Sequence, residues 1–142
     1  WLAQHPPRSR DVIDYGCGSG ILAIAALKLG ARSALGTDTD PQALTVSREN
    51  AERNGVLDRL TLLPPDALPK QADADIVLAN ILAGALIALA PRLTALVRPG
   101  GTLILSGLLA IQADEVEAAY AAHFDFVRQG RDEWTMLAGT PR

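Results

Sequence analysis

The sequence predicts an α/β fold built on a mostly parallel, doubly wound sheet, and three observations lead to this prediction. Short apolar runs alternate with helical stretches along most of the chain, which favours parallel strands with helices on both faces. A glycine-rich segment joins the first apolar run to the first helical stretch. Near the end, two apolar runs follow each other without a helix between them, which predicts a C-terminal antiparallel hairpin.

The predicted strands are short apolar runs bounded by turn residues. They cover residues 11–15, 34–36, 60–63, 76–79, 102–105, 124–127 and 134–137. Residues 98–101, Arg-Pro-Gly-Gly, predict a turn. Residues 129–132 form a loop of hairpin length, so the two strands that it joins are expected to run antiparallel.

Four helical stretches are predicted, at residues 21–29, 41–54, 82–97 and 113–122. Asp40 is a good N-cap for the second helix, with Pro41 at the first helical position. Gly30 and Gly55 are predicted to end the first and second helices. Pro91 lies inside the third stretch and predicts a break or two short helices there.

Composition excludes several classes of protein. The 142 residues are 49% hydrophobic and 20% charged, with a formal net charge of −3, which predicts one domain over residues 1–142. No long run of Lys and Arg would attract nucleic acid or an anionic membrane. The longest apolar run, residues 21–27, is far shorter than the ~20 residues that span a membrane.

The single cysteine indicates the redox state of the compartment in which the protein works. Cys17 cannot form an internal disulfide and fits a reducing compartment, so we expect the cytoplasm. A nucleophilic role for Cys17 is rejected because no histidine lies near it in sequence, and no spacing of residues suggests a metal site. The chain begins at Trp1 rather than at Met, which suggests a piece of a longer protein.

The segment Asp-Tyr-Gly-Cys-Gly-Ser-Gly, residues 14–20, leaves the first predicted strand and opens the first helix. Gly16 and Gly18 would permit the turn and the close approach of a ligand, while Gly20 would let the helix start tight against the strand. Backbone N–H groups at such a turn attract nucleotide-like ligands. A tight strand–helix turn without a ligand would also account for the glycines.

A second feature favours a ligand. Asp38 follows the second strand about 20 residues after the loop, where a carboxylate can accept hydrogen bonds from both ribose hydroxyls. Asp40 competes for this role, but its place before Pro41 indicates a helix cap.

The glycine spacing separates two cofactor classes. Dinucleotide-binding folds use G-x-G-x-x-G, whereas here Ile21 occupies the place of the third glycine. The pattern G-x-G-x-G behind Asp14 resembles the first motif of the class I methyltransferases, which use S-adenosylmethionine. The terminal antiparallel hairpin is also typical of that Rossmann-like fold.

A closer resemblance covers residues 12–134. The segments VIDYGCGSGILAIAALKLGA, GTDTDPQAL, ENAERNGV, VLANILAG, RPGG and LSGLLAIQADEVEAAYA, with RDEW near the end, resemble the ribosomal protein L11 methyltransferase (PrmA) family. This resemblance implies methylation of amino groups, on lysine side chains and the N-terminal amine, of a large-subunit ribosomal protein. It also implies an N-terminal recognition domain and a cofactor-covering loop that would precede Trp1.

The resemblance assigns roles to particular residues. The implied cofactor-binding residues are Asp14, Gly16, Gly18, Asp38, Thr39, Asp66, Ala67 and Asn80. Asp66 and Ala67 match the segment that faces the adenine. Asp14 would hold the loop backbone or contact the amino group of the cofactor through water. Trp134 is expected to pack on the sheet rather than on a substrate.

Asn80 is the predicted catalytic residue. A lysine of pKa ~10.4 must lose its proton before it can accept a methyl group. The amide oxygen of Asn80 could accept an N–H of that amine and direct its lone pair, without a charge that would trap an ammonium. A buried turn residue at a strand end would be the structural alternative.

Three other functions remain open at this point. A methyltransferase of exocyclic amines on nucleic acid bases or small molecules usually carries an aromatic platform for a planar base, whereas Ile81 and Leu82 follow Asn80 here. A dinucleotide oxidoreductase is disfavoured by Ile21 and by the terminal hairpin. An inactive cofactor-binding scaffold is the third. The sequence predicts neither direct nucleic acid binding nor an oligomeric state.

Overall fold

The computed structural model describes residues 1–68, 70 and 74–142. These residues form an α/β fold whose strands pair mostly in parallel. The chain divides into two compact units, Trp1–Pro69 and Lys70–Arg142. The predicted fold class is therefore confirmed, and each unit contains strands and helices of its own.

The first unit contains three parallel strands and two α-helices. Their bounds are β1 Asp11–Tyr15, α1 Ile21–Lys28, β2 Ser33–Thr37, α2 Pro41–Arg53 and β3 Leu60–Leu63. The strand order is β3-β2-β1, with Tyr15 opposite Thr37 and Thr37 opposite Leu63. The last residues of the three strands therefore lie in register along one edge.

The predicted ends of the first two helices are largely confirmed. Asp40 caps α2 by accepting a hydrogen bond of 2.9 Å from the Gln42 N–H. Gly55 follows the α2 C-cap with φ +70°, a conformation that glycine adopts without strain. Helices α1 and α2 each end one residue earlier than predicted, and Gly30 follows the α1 C-cap with φ +104°.

The second unit contains four strands and three α-helices. Their bounds are β4 Ala74–Asn80, α3 Ala83–Ala88, α4 Ala90–Leu96, β5 Val97–Leu109, α5 Ala113–Tyr120, β6 Phe124–Arg131 and β7 Trp134–Pro141. Strand β4 pairs parallel with β5, while β7 runs antiparallel to both β5 and β6. The order is β4-β5-β7-β6, so the predicted C-terminal hairpin is confirmed.

The bounds predicted for two loops of the second unit are wrong. Residues 98–101 belong to β5 rather than to a turn, and the backbone of Gly101 lies so close to β4 that an added Cβ would meet the Asp75 carbonyl oxygen at 2.7 Å. Strand β6 continues to Arg131, so the hairpin turn contains only Asp132 and Glu133, with Asp132 at φ +57°. Within β5 the pairing with β4 passes from Val97 directly to Thr102, and Gly100 has φ +79°, so the glycines mark an irregularity inside the strand.

The third helical stretch breaks as Pro91 predicts. Helices α3 and α4 are separated by Leu89, and Pro91 lies in the first turn of α4, where its missing N–H costs no helical hydrogen bond. The buried side chains of the second unit include Leu86, Leu93, Leu103 and Tyr120. Burying each such leucine stabilises the fold by about 2 kcal/mol.

The Tyr120 hydroxyl donates a 2.5 Å hydrogen bond to the Leu86 carbonyl, so the polar end of this buried ring has a partner. None of the helices in the described part of the chain combines the length and apolar character needed to cross a membrane.

Candidate functional site

The glycine loop follows β1 and adopts the conformation that its three glycines predict. Gly16, Gly18 and Gly20 have φ of +79°, +54° and +84°, which side chains of L-residues rarely adopt. At Gly18 an added Cβ would meet no atom within 4 Å, so this position is open to a ligand. At Gly20 it would meet Ser47 of α2 at 3.1 Å, so the close approach there is to α2 and not to the strand as expected.

Most N–H groups of the loop are already used inside the protein. Those of Gly16 and Cys17 both donate to the Thr37 carbonyl, at 2.8 and 2.9 Å, and that of Gly20 donates to the Cys17 carbonyl at 2.8 Å. Within the described residues, the N–H groups that keep no protein acceptor here are those of Ser19, Ile21 and Leu22. Fewer backbone N–H groups of the loop are therefore available to a ligand than the sequence indicates.

Asp38 is tied directly to the glycine loop. Its Oδ2 accepts the Gly18 N–H at 3.0 Å and its Oδ1 accepts the Asp40 N–H at 3.0 Å. The carboxylate is half-buried, and each of its oxygens can accept a further hydrogen bond. Asp40 accepts the Gln42 N–H at the start of α2, whereas Asp38 lies against the glycine loop, so Asp38 is the acid of this pair that can receive hydroxyls of a ligand lying at the loop.

Asp14 is the most buried acid of the site, with 1% of its surface exposed. Its Oδ2 accepts the Ala23 N–H of the first turn of α1 at 3.2 Å. Burial raises the pKa of Asp14 to about 6, the Ala23 hydrogen bond lowers it, and the nearby Asp38 charge raises it. In the structure Asp14 therefore holds backbone, although that of α1 rather than that of the loop.

The remaining predicted residues of the first unit lie at the same edge of the sheet. Thr39 follows Asp38 and is exposed, and Asp66 and Ala67 are exposed on a 3₁₀ turn that follows β3. Because the three parallel strands end in register, these residues lie on the side that carries the glycine loop. No hydrogen bond in the described residues joins Asp66 or Ala67 to the loop.

The donors and acceptors of this edge fit a ligand of mixed polarity. The fixed Asp38 carboxylate accepts hydroxyl groups, and the N–H groups of Ser19, Ile21 and Leu22 donate to carbonyl or carboxylate oxygens. The open space at Gly18 allows such a ligand to approach the backbone.

Asn80 lies in the second unit, as the last residue of β4, and its side chain is exposed. It lines a cavity of about 610 Å³ with Leu82, Gly107, Arg131, Trp134 and other residues. Arg131 is the one charged residue on that wall in the described part of the chain. The structural alternative of a buried turn residue is therefore wrong.

Gly107 is a site residue that the sequence reasoning missed. It follows Ser106, which pairs with Asn80, and has φ +88°. An added Cβ would lie 2.9 Å from the Asn80 Oδ1 and 2.7 Å from the Ile81 carbonyl oxygen. Gly107 is thus what allows the Asn80 amide to lie against this backbone, and the Leu-Ser-Gly triplet was the signal for it.

Trp134 corrects an expectation. It is 51% exposed and lines the same cavity as Asn80, so the prediction that it packs on the sheet is wrong. It pairs with Arg131 across the two-residue hairpin turn, and the shortness of that turn holds both side chains at the cavity.

Cys17 is buried, and its Sγ lies 3.6 Å from the Ser47 Oγ. Burial raises the pKa of the Cys17 thiol above its ordinary value, which disfavours the nucleophilic thiolate. Across the described residues, no group of three or more His, Cys, Asp or Glu side chains could hold a metal ion.

Comparison with known proteins gives consistent results. The family model described as "Ribosomal protein L11 methyltransferase (PrmA)" matches residues 1–142. A ribosomal protein L11 methyltransferase of Pseudomonas aeruginosa (strain LESB58) is 57% identical over 144 residues, and one of Pseudomonas putida (strain GB-1) is 56% identical. Both alignments cover 100% of this chain and 49% of the relative, so the chain spans about half the length of these relatives.

Solved structures agree in fold. A ribosomal protein L11 methylase from Lactobacillus delbrueckii subsp. bulgaricus has a TM-score of 0.91 and 34% identity, covering 99% of this chain and 74% of that one. An RNA methyltransferase from Salinibacter ruber, in complex with S-adenosyl-L-homocysteine, has a TM-score of 0.78 at 20% identity, over 98% of this chain and 86% of that one, which shows the fold alone. The matches over the whole chain show that it belongs to the ribosomal protein L11 methyltransferase (PrmA) family.

Proposed function

We propose that this chain is the methyl-transferring part of an S-adenosylmethionine-dependent enzyme that methylates amino groups of ribosomal protein L11. The observation that carries the proposal is the family match over residues 1–142. The acceptors are lysine side chains and the N-terminal amine of that protein, and the enzyme works in the cytoplasm. Residues 1–142 act as one catalytic domain.

In this proposal the glycine loop and Asp38 bind the cofactor. Asp38 accepts the ribose hydroxyls, which its hydrogen bond to Gly18 supports, since that bond fixes the carboxylate beside the loop. Thr39 adds a polar contact beside it. Asp66 and Ala67 border the adenine, and their exposure after β3 supports this role. The backbone N–H groups of Ile21 and Leu22 at the start of α1, which keep no protein acceptor in the described residues, donate to the amino-acid end of the cofactor.

Asp14 stabilises the cofactor site from the buried side of the loop. Its hydrogen bond to Ala23 fixes the first turn of α1 and hence the direction of the neighbouring N–H groups. A carboxylate buried to this degree also favours a positive charge nearby. A cationic ligand at the loop would therefore lower the pKa of Asp14 and keep the side chain ionised.

When bound, S-adenosylmethionine supplies a methyl group that its sulfonium centre already activates. The work left to this chain is to orient a neutral amine and to exclude water. Asn80 accepts one amine N–H on its Oδ1 and so directs the lone pair, and it also contacts the methionine part of the cofactor. The cavity that Asn80 lines with Leu82 and Trp134 suits the aliphatic stem of a lysine.

The charge of the cavity supports a neutral acceptor. Arg131 is its one charged lining residue in the described part of the chain, and a cation there disfavours an ammonium. The Trp134 face can receive a methylated, more diffuse cation once it forms, because aromatic faces attract such ions. These features favour deprotonation before transfer.

The test of the proposed function compares ligands and acceptors. We expect calorimetric titration to detect binding of S-adenosylhomocysteine and no binding of NAD. A chain of the relatives' full length should transfer radiolabelled methyl groups to L11 and not to an RNA oligonucleotide. Binding of NAD alone, or labelling of RNA alone, would contradict the proposal. Binding of S-adenosylhomocysteine without transfer to any acceptor would indicate a cofactor-binding scaffold.

A further inference from the structure

Two side chains of α2 hold the glycine loop by hydrogen bonds to its carbonyl oxygens. The Ser47 Oγ donates to the Gly18 carbonyl at 2.8 Å, and the Asn50 Nδ2 donates to the Ser19 carbonyl at 2.9 Å. Ser47 is fully buried and Asn50 partly buried. The two residues are three positions apart, so they share one face of the helix.

These bonds fix the orientation of a particular N–H group. In a trans peptide the carbonyl and the following N–H point in opposite directions. The bond from Ser47 to the Gly18 carbonyl therefore directs the Ser19 N–H away from α2. That N–H is one of the few in the loop that keeps no protein acceptor in the described residues.

The bond from Ser47 matters because the backbone at Gly18 is intrinsically permissive. Gly18 has φ +54° and no side chain, so its own sterics restrict the Gly18–Ser19 peptide plane less than those of another residue would. The bond from Asn50 fixes the next peptide in the same way. It directs the Gly20 N–H toward the Cys17 carbonyl, to which that N–H donates.

We propose that Ser47 and Asn50 are positioning residues. Ser47 holds the Gly18–Ser19 peptide and Asn50 holds the Ser19–Gly20 peptide, so that the Ser19 N–H between them is presented to an acceptor oxygen of the bound ligand. This inference rests on the proposed function, since the ligand is the methyl donor or its demethylated product. Neither side chain touches that ligand. Their effect on affinity passes through the orientation of these two successive peptides.

The experiment uses S-adenosylhomocysteine as the probe and three variants of this chain. Ser47→Ala and Asn50→Asp each remove one donor to the loop. Asn54→Ala is the matched control, because Asn54 also lies at the end of α2 and donates 2.8 Å to a backbone carbonyl, that of Asn50, away from the loop. Urea unfolding of each variant measures its stability.

We expect Ser47→Ala and Asn50→Asp to weaken S-adenosylhomocysteine binding about tenfold, as loss of a positioned hydrogen bond does, and Asn54→Ala to leave it within twofold. The Ser19 amide resonance should shift on addition of S-adenosylhomocysteine in the wild type and less in Ser47→Ala. Ser47→Thr keeps the hydroxyl and should restore most of the affinity. If Ser47 and Asn50 had a purely structural role, the variants would lose stability in urea without these differences in S-adenosylhomocysteine affinity and in the Ser19 resonance shift.

The outcomes separate the two proposals. If the wild type does not bind S-adenosylhomocysteine, the proposed function fails and this inference fails with it. If the wild type binds it and the two loop variants bind equally well, only the positioning role is overturned. Should Ser47→Ala not fold, Asn50→Asp alone decides, because its side chain is partly exposed and of equal size.

Discussion

The Gly18 N–H donates to the Asp38 Oδ2 over 3.0 Å, which joins the loop after β1 to the residue after β2. Asp38 thus has a second task besides the proposed ribose contact, because its carboxylate also orders the loop and the start of α2. Replacement of Asp38 would remove both effects at once. A loss of cofactor affinity alone would not distinguish them.

The first prediction therefore compares the affinity for S-adenosylhomocysteine with the affinity for its 2′-deoxyribose analogue. In the wild type, S-adenosylhomocysteine should bind more tightly than its 2′-deoxyribose analogue by about 1.5–3 kcal/mol, the scale of a hydrogen bond to a charged acceptor. In Asp38→Ala both ligands should bind weakly and almost equally. Titration calorimetry measures all four affinities. If Asp38→Ala still discriminates as the wild type does, Asp38 does not contact the ribose.

Local patterns predicted the elements of the fold and part of the site. The cap formed by Asp40 and the positive φ of the glycines follow from the preferences of single residues, so the sequence predicts them directly. The bond from Ser47 to Gly18 joins residues 29 positions apart, and no local pattern contains it. Trp134 was misplaced for the same reason, since its exposure depends on where β6 ends.

The second prediction concerns Asp14 and pH. Its folded-state pKa is about 6 against an ordinary value of 3.8, so the folded state binds the proton more tightly than the unfolded state. Stability should therefore fall as pH rises from about 4 to 6, by on the order of 3 kcal/mol from this group. Asp14→Asn keeps an acceptor for the Ala23 N–H and removes the charge.

We expect Asp14→Asn to match the wild type near pH 4 and to be more stable near pH 7. Urea unfolding across this range gives both free energies. A difference between variant and wild type that stays constant from pH 4 to pH 7 would mean that Asp14 does not titrate there in the folded chain.

The third prediction concerns Gly107. Its φ of +88° and the 2.9 Å that would separate an added Cβ from the Asn80 Oδ1 make Gly107→Ala strained as well as crowded. We expect a stability loss of about 1–3 kcal/mol and a displaced Asn80 side chain. Gly130→Ala is the matched control, because its Cβ would meet nothing closer than 3.8 Å and its φ is not positive. Thermal unfolding of both variants should separate them; equal losses would refute the argument.

The fourth prediction concerns the chemical step. In a chain of the relatives' full length, Asn80→Ala should lower the single-turnover rate of methyl transfer at saturating cofactor by roughly 10–100-fold, because the amine lone pair is no longer directed. Asn80→Asp should be impaired as well, since its carboxylate binds the unreactive ammonium. Rapid-quench measurement with labelled methyl donor gives the rates. A rate for Asn80→Ala equal to that of the wild type would exclude Asn80 from the step.

The fifth prediction concerns what these 142 residues do alone. The chain covers 49% of its Pseudomonas aeruginosa relative. The family resemblance leads us to expect that substrate docking and a cofactor-covering loop lie in a segment that would precede residue 1. A site without that cover admits more water, which leaves the target ammonium better solvated and harder to deprotonate. We therefore expect the 142-residue chain to bind S-adenosylhomocysteine weakly and to methylate L11 little or not at all.

Joining the preceding segment of a relative to this chain should restore transfer, because tethering raises the effective concentration of the docked substrate. The same segment added as a separate protein at micromolar concentration is the control, and it should restore far less. Both forms are assayed against L11 with radiolabelled methyl donor. Equal catalytic efficiency of the short and the extended chain would show that residues 1–142 recognise the acceptor themselves, since no other part of the protein would then be needed to hold it.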